Sequence, residues 1–270
     1  MAIPRQARRL AKKVLPAGLA TRIARWDFRR RDKIDVEAQM LPLFARGGDF
    51  VDIGANIGVW SMCAAPHFRT VYCFEPDRTL AQGLRSLPRN VKVHGMALSD
   101  HVGEARLTTP VISGVPAPSR SSLEERANGD AQGVDQVVAL GRLDDFNLER
   151  VDAMKVDVEG HEAAVFNGAW RTIEACRPMI VAEIEERHHV GDSETIIAAV
   201  VSRGYGCWYV HRGELKRFVP GSVAELQKNP PLTVDGREED YMANFIFLPQ
   251  EREKENCDAM LGWLGKARGR

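Results

Sequence analysis

Short apolar runs alternate along this chain with stretches in which apolar positions recur every three or four residues, the signatures of buried strands and amphipathic helices. Over 34–44, Val36, Met40, Leu43 and Phe44 fall at helical spacing, and Gly47-Gly48 follows where a helix would stop. Phe50-Val51-Asp52-Ile53 predicts a first strand, a glycine-rich turn comes next, and 57–65 reads as a helix. A second strand is expected over 70–75, closed by Pro76, with Asp77 as the N-cap of a helix running to about Ser86. This is a βαβ unit.

Further strands are expected at 91–94, 104–109, 136–140, 153–158, 179–184, 205–210 and 241–248. Helices are expected at 162–170 and 193–203, with a short one around Asp144-Asp145-Phe146. Residues 110–133 break the pattern with three prolines, three glycines and four serines, which predicts a long surface loop. Such alternation implies an α/β domain: a mostly parallel twisted sheet with helices on both faces, Rossmann-like in kind.

Composition adds boundaries. At 270 residues, with 44% hydrophobic and 27% charged residues, the chain is large enough to bury one sizeable core and unlike a disordered or fibrous protein. Its longest uncharged apolar stretches fall well short of the roughly 20 residues that cross a bilayer. The formal net charge of zero conceals an asymmetry. Residues 1–33 carry eleven basic and two acidic side chains, +9, leaving 26 basic and 35 acidic groups, −9, for the remainder. Within the arm, Arg8, Arg9, Lys12 and Lys13 share one helical face opposite Leu10 and Val14. Such a basic helix would either dock on an anionic membrane or polyanionic glycan, or pack its apolar side on the domain with its charges in water. Five scattered cysteines without a CxxC pair fit reduced thiols in a cytoplasmic protein, and Cys63 and Cys73 are expected to be buried and inert. No secretory h-region is expected, because Pro16 and Gly18 interrupt the only candidate.

In open α/β sheets, ligands bind at the carboxyl ends of strands near the point where strand order reverses, so the chemistry is sought there. The first strand ends in Asp52-Ile53-Gly54-Ala55-Asn56-Ile57-Gly58, where Gly54 and Gly58 let the backbone approach a ligand closely. Glu75 ends the second strand, 23 residues after Asp52, and is placed to accept the hydroxyls of a ribose. The spacing is GxxxG instead of GxGxxG, and Asp52 would repel a pyrophosphate, so a nicotinamide dinucleotide fits poorly. S-adenosylmethionine, with its ammonium, sulfonium and ribose, suits the pair better. A later strand ends in Lys155-Val156-Asp157-Val158-Glu159-Gly160-His161-Glu162, where a side-chain period of two puts Lys155, Asp157 and Glu159 on one side. That is either a polar cleft or a structural Lys155 to Asp157 ion pair. Glu183-Ile184-Glu185 would add carboxylates to the same rim.

The ordered set of these segments, with Phe74-Glu75-Pro76, Ala97-Leu98-Ser99-Asp100, Ser121-Ser122-Leu123 and Asn244-Phe245, resembles the FkbM family of S-adenosylmethionine-dependent methyltransferases over residues 34–249. The basic helical arm over 1–33 and the helix or tail over 250–270 lie outside the resemblance. It implies a class I methyltransferase fold and transfer of a methyl group to oxygen, commonly a hydroxyl of a sugar or secondary metabolite. It would put Asp52, Gly54, Asn56 and Gly58 around the methionine part of the donor, Glu75 at its ribose, and Leu98, Ser99 or Asp100 at its adenine. Asp157 and Glu159 would then stand beside the transferred methyl group.

The reaction needs an acceptor oxygen aligned with the donor's methyl carbon and relieved of its proton. Asp157 is the expected base, with Glu159 or His161 as alternates and Lys155 as the supporting charge. Mg²⁺ on Asp157, Glu159 and Glu183 is a less favoured variant, lacking a spacing signature. His188 and His189 read as surface histidines whose adjacency turns them apart. The leading expectation is O-methylation of a sugar hydroxyl in a surface polysaccharide, glycolipid or glycosylated metabolite, in the cytoplasm or at the inner face of the membrane. Two readings compete: a non-catalytic cofactor-binding scaffold of the same fold, and a nucleic-acid methyltransferase that uses the +9 arm on phosphates. The second is disfavoured because the motif over 155–162 has no Asn-Pro-Pro-aromatic element and the arm has a single Trp26 for stacking.

Overall fold

A computed structural model describes residues 34–112, 115–117, 121–124, 133–189, 191–228 and 241–268. The expected basic arm lies outside them, as does much of the expected loop over 110–133.

The first strand, β1 (Asp49–Ile53), is buried along its whole length. Beside it run β2 (Val71–Phe74) and β3 (Val91–His94), and on its other side β8 (Val151–Val156) and β9 (Met179–Glu183). All five are parallel. The sheet is completed by β12 (Asn244–Pro249), β10 (Tyr205–His211) and β11 (Glu214–Arg217), each antiparallel to its neighbour, in the order β11-β10-β12-β9-β8-β1-β2-β3. This is the expected mixed α/β, mostly parallel sheet. The chain moves outward from β1 to β3 and returns to β1's other side with β8, so strand order reverses between β1 and β8.

Both faces are covered, which is why these strands read as apolar runs instead of alternating ones. Val51, Ile53, Met154, Val156, Ile180 and Ala182 enter one core with Phe166 and Ile173, on the helices α4 (Glu162–Asn167) and α5 (Trp170–Cys176). Phe50, Ala153 and Val181 enter the other, with Met40 of α1 (Val36–Met40), Trp60 of α2 (Val59–Ala64) and Met260 of α9 (Glu253–Arg268). The helix expected over 34–44 is two pieces. After Met40 it tightens into a 3₁₀ turn, Leu41–Leu43, that carries Pro42, whose ring cannot continue an α-helical ladder. Asp77 caps α3 (Arg78–Leu84) as expected, its Oδ1 accepting from Leu80 N–H at 2.8 Å.

A second sheet, β4 (Ala97–Leu98), β7 (Gly133–Gly141), β5 (Gly103–Ile112) and β6 (Val115–Pro116), lies in the order β4-β7-β5-β6. Its main pair, β5 with β7, is antiparallel from Gly103 opposite Leu140 to Pro110 opposite Gly133. The loop expected to begin at Pro110 is therefore strand at its start. Pro110 has no N–H to give the ladder, but its carbonyl accepts from Ala117 N–H at 2.9 Å. Among the described residues, no helix is long and apolar enough to cross a membrane. Cys73 is buried as expected, whereas Cys63 is only half-buried, because its place on α2 turns it toward the rim of the core.

Candidate active site

A cleft lies at the carboxyl ends of β1 and β8, where strand order reverses. The space within it and its mouth amounts to about 590 Å³, part of it open to solvent. Gly54 and Asn56 form its floor, Phe74 and Glu75 one wall, Leu98 and Leu107 another, and Asp157, Glu159 and His161 the polar side.

The floor requires glycine. Gly54 has φ +75°, and a Cβ there would lie 1.8 Å from the carbonyl oxygen of Asp157, so β1 and β8 could not approach with any side chain at 54. Gly58, at φ +81°, caps α2 in the left-handed conformation, and Asn56 adopts φ +52°. This turn presents Asn56 N–H to Glu75 Oε2 at 2.7 Å, while Asp77 N–H donates to Oε1 at 2.8 Å. Each Glu75 oxygen keeps a lone pair for a hydroxyl. Burial outweighs these two bonds and pushes the Glu75 carboxyl up to about 7.

Asp52 sits beneath the turn, not in the cleft. It is fully buried, on the face of β1 opposite Val51 and Ile53, and accepts from Ser61 Oγ–H at 2.6 Å. Its Oδ1 is buried without a hydrogen-bond partner. Burial raises its pKa against the lowering effect of Lys155, its register partner on β8. Lys155 is buried too, 5.5 Å from the centre of the Trp60 ring, and its Nζ donates to Asp157 Oδ2 at 2.5 Å. Burial opposes that charge, but Asp157, Asp52 and Glu183 outweigh it and hold the Lys155 pKa above the ordinary lysine value. The ion pair read as an alternative to a cleft is thus present together with the cleft. Asp157 both pairs with Lys155 and lines the open space, its side chain 25% exposed.

The period-two expectation fails beyond Asp157. β8 ends at Val156 and Glu159 turns to φ +51°, so its side chain leaves the Lys155 row. It faces His188 instead, with Oε2 2.9 Å from Nε2, and Arg187 at 3.6 Å. Burial raises its pKa, against the opposing effects of His188 and Arg187. The surface reading of the two histidines is therefore wrong. They lie on α6 (Glu186–His189) with side chains 8% and 7% exposed, and His189 Nε2 is 2.6 Å from Glu162 Oε2. They do turn apart, but toward buried acids. Nor does the trio proposed for Mg²⁺ come together: Asp157 is engaged by Lys155, and Glu159 joins Glu185 and His188.

Of the residues expected at the adenine, Leu98 lines the cleft. Ser99 is buried, and its hydroxyl meets His161 Nε2 at 2.9 Å. Asp100 is exposed and pairs outward with His101 at 2.6 Å. The other His161 nitrogen meets Glu124 Oε1 at 2.7 Å, and Ser122 Oγ–H donates to the Glu159 carbonyl at 2.6 Å. These contacts hold the 121–124 segment on the cleft, where Ser121 lines it. Trp60, Ser61, Glu124, Arg187 and Tyr241 were not foreseen as site residues. Only Ser61 had a signal, since a helix that follows a glycine turn returns its first turn to the strand it left.

Residues 52–206 match the family described as the methyltransferase FkbM domain. Among solved structures, the chain is similar to the crystal structure of a methyltransferase FkbM from Methylobacillus flagellatus KT, at 16% sequence identity and a TM-score of 0.48. The similarity covers 88% of this chain and 57% of that one, so the chain spans less than two thirds of that protein's length. No curated protein matches.

Proposed function

The chain belongs to the FkbM methyltransferase family, and on that premise we propose that it is an S-adenosylmethionine-dependent O-methyltransferase acting on a hydroxyl of a sugar. The observation that carries this reading is a carboxylate, Asp157, standing in a cleft at the strand-order reversal with a buried ammonium 2.5 Å away. A hydroxyl is a weak nucleophile, and a positioned base contributes about 10²- to 10⁴-fold.

S-adenosylmethionine is the usual donor of methyltransferases, and the residues present fit it. Glu75 offers two carboxylate oxygens on one wall, Gly54 clears the floor of side-chain atoms, and Phe74 and Leu98 supply apolar surface for a flat ring. When bound, the donor supplies an activated methyl group. Asp157 accepts the hydroxyl proton, and Lys155 fixes the orientation of that carboxylate. Ser121 and Glu159 offer hydrogen bonds on the polar side, which suits a polyhydroxylated acceptor. The basic residues of 1–33 would hold the enzyme on an anionic surface where such an acceptor is assembled.

Mass spectrometry of surface glycans from cells with and without the gene tests the proposal. The expected result is the loss of one methyl increment from one sugar. An unchanged glycan profile, together with no binding of S-adenosylmethionine by the purified protein, would remove the reading.

A further inference from the structure

We infer that Glu159, Glu185 and His188 form a binding site for a divalent transition-metal ion, Mn²⁺ or Zn²⁺, at the wall of the cleft. One ligand atom from each of the three lies within 4.8 Å of the others. Ions of this kind hold oxygen and nitrogen ligands at about 2.0–2.2 Å, so ligands sharing one ion stand about 3–4 Å apart. Side-chain shifts that bring the widest separations in by about 1 Å would close the set. The pair Glu159 Oε2 and His188 Nε2, at 2.9 Å, already has that separation.

The second observation concerns His188 itself. Its side chain is 8% exposed, yet neither ring nitrogen completes a hydrogen bond, although Glu159 stands within reach of Nε2. A buried imidazole normally spends its nitrogens on hydrogen-bond partners. A bound cation would use the lone pair that the present neighbours do not.

Charge points the same way. Asp52, Asp157, Glu159, Glu183 and Glu185 gather around the ends of β1, β8 and β9, whereas the basic groups that face them are Lys155, Arg187 and His188. Arg187 reaches both carboxylates of the site. Its guanidinium binds Glu185 in a fork, at 2.7 and 2.8 Å, with the same Nη2 3.6 Å from Glu159 Oε2, so an ion entering between the two carboxylates displaces this arginine from Glu159, and Tyr241 O–H adds a bond to Glu185 Oε2 at 2.7 Å. Such outer partners fix the orientation of a ligating carboxylate and leave the remaining Oε1 lone pair free to bind. The imidazole favours Mn²⁺ or Zn²⁺ over Mg²⁺, which prefers oxygen ligands throughout. Because Glu159 also lines the cleft, an ion held here would stand within reach of an acceptor beside Asp157.

The test uses the full chain after treatment with a chelator, with Mn²⁺ or Zn²⁺ added alone and no methyl donor. Calorimetry and, for Mn²⁺, electron paramagnetic resonance should show one ion per chain, with weaker binding of Mg²⁺. His188→Ala should lose at least about 10- to 100-fold in affinity, the scale on which disturbed metal sites respond. His189→Ala, whose partner is Glu162, should bind as the wild type does. Far-ultraviolet circular dichroism checks that both variants are folded. Absence of one-to-one binding in the wild type overturns the inference, as does undiminished binding by folded His188→Ala. Neither readout involves methyl transfer, so the site stands or falls independently of the proposed reaction.

Discussion

Asp52 and Lys155 lie opposite one another on adjacent parallel strands, both buried, so the charge pair under the cleft is set by the register of β1 and β8. Two neighbouring acids depend on this lysine, and they differ. Asp157 can be hydrated from the cleft, but Asp52 has no water to turn to. Lys155→Met should therefore lower unfolding stability by about 3–5 kcal/mol at neutral pH, the cost of leaving a buried charge uncompensated. Lys155→Met with Asp52→Asn should recover part of that loss. Denaturant unfolding of the two variants measures it, and a loss below about 1 kcal/mol in the single variant would show that Asp52 is already protonated.

Asp157 has the opposite balance, since its place at the cleft matters more to turnover than to the core. Asp157→Asn keeps the shape and one acceptor oxygen for Lys155 but cannot take a proton. It should bind the methyl donor within a few-fold of wild type and lose about 10²- to 10⁴-fold in kcat. Wild-type turnover in this variant would transfer the base role to Glu159 or His161.

How much of this was legible in the sequence follows from how local each cause is. β1 with its turn could be read because Phe50 to Ile53 and Gly54 to Gly58 carry their own conformational reasons, including a Gly54 whose Cβ would meet the Asp157 carbonyl at 1.8 Å. Asp77 declared its cap within three residues. The β5 and β7 pair was half hidden, because Pro110 reads as a breaker until an antiparallel partner shows that its missing N–H is not needed. Glu159 was assigned to the Lys155 row because a period of two has no means of announcing its own end, and the left-handed residue after β8 turned it away. His188 and His189 were misread for a related reason. Their acids, Glu159 and Glu162, are 29 and 27 positions earlier in the chain, and only the packing of α6 against the end of β8 brings them together.

Glu75 supplies a pH dependence. Its folded pKa of about 7 exceeds the ordinary value of 4.5, so between those limits the unfolded chain ionises while the native protein keeps the proton. The native state then binds more protons, and stability falls as pH rises from about 4.5 to about 7, by about 3 kcal/mol in total from this group. Glu75→Gln removes that falling leg. The same change replaces one acceptor oxygen by an NH₂ facing Asn56 or Asp77 N–H, which should cost about 1–3 kcal/mol at the low-pH end. Urea midpoints taken from pH 4.5 to 8 in both proteins separate the two effects. Equal slopes would mean that Glu75 is ionised throughout.

The arm offers a test outside the described residues. Each Lys or Arg close to an anionic bilayer contributes about 1 kcal/mol, and salt shortens the reach of that attraction from about 10 Å at 0.1 M to about 3 Å at 1 M. With a charge of +9 in residues 1–33, the full chain should sediment with phosphatidylglycerol vesicles at low salt and release as salt rises. Deleting 1–33 should abolish sedimentation and spare donor binding. A full chain that ignores such vesicles would mean that the arm packs on the domain.

His161 also lines the cleft, and its two contacts give it a holding role. One nitrogen meets Ser99 at the end of β4, the other Glu124 in the segment that covers the cleft. His161→Phe keeps an aromatic ring and removes both bonds, each worth about 1 kcal/mol net. The 121–124 segment should then open more often, with amide hydrogen exchange at Ser122, which donates to the Thr108 carbonyl at 3.1 Å, faster by about tenfold or more. The acceptor KM should rise more than kcat falls, because the segment shapes the binding wall and Asp157 is untouched. Unchanged exchange at Ser122 would mean that Ser122 with the Glu159 carbonyl and Thr109 with Ser121, at 2.6 and 2.7 Å, are enough to hold the segment down.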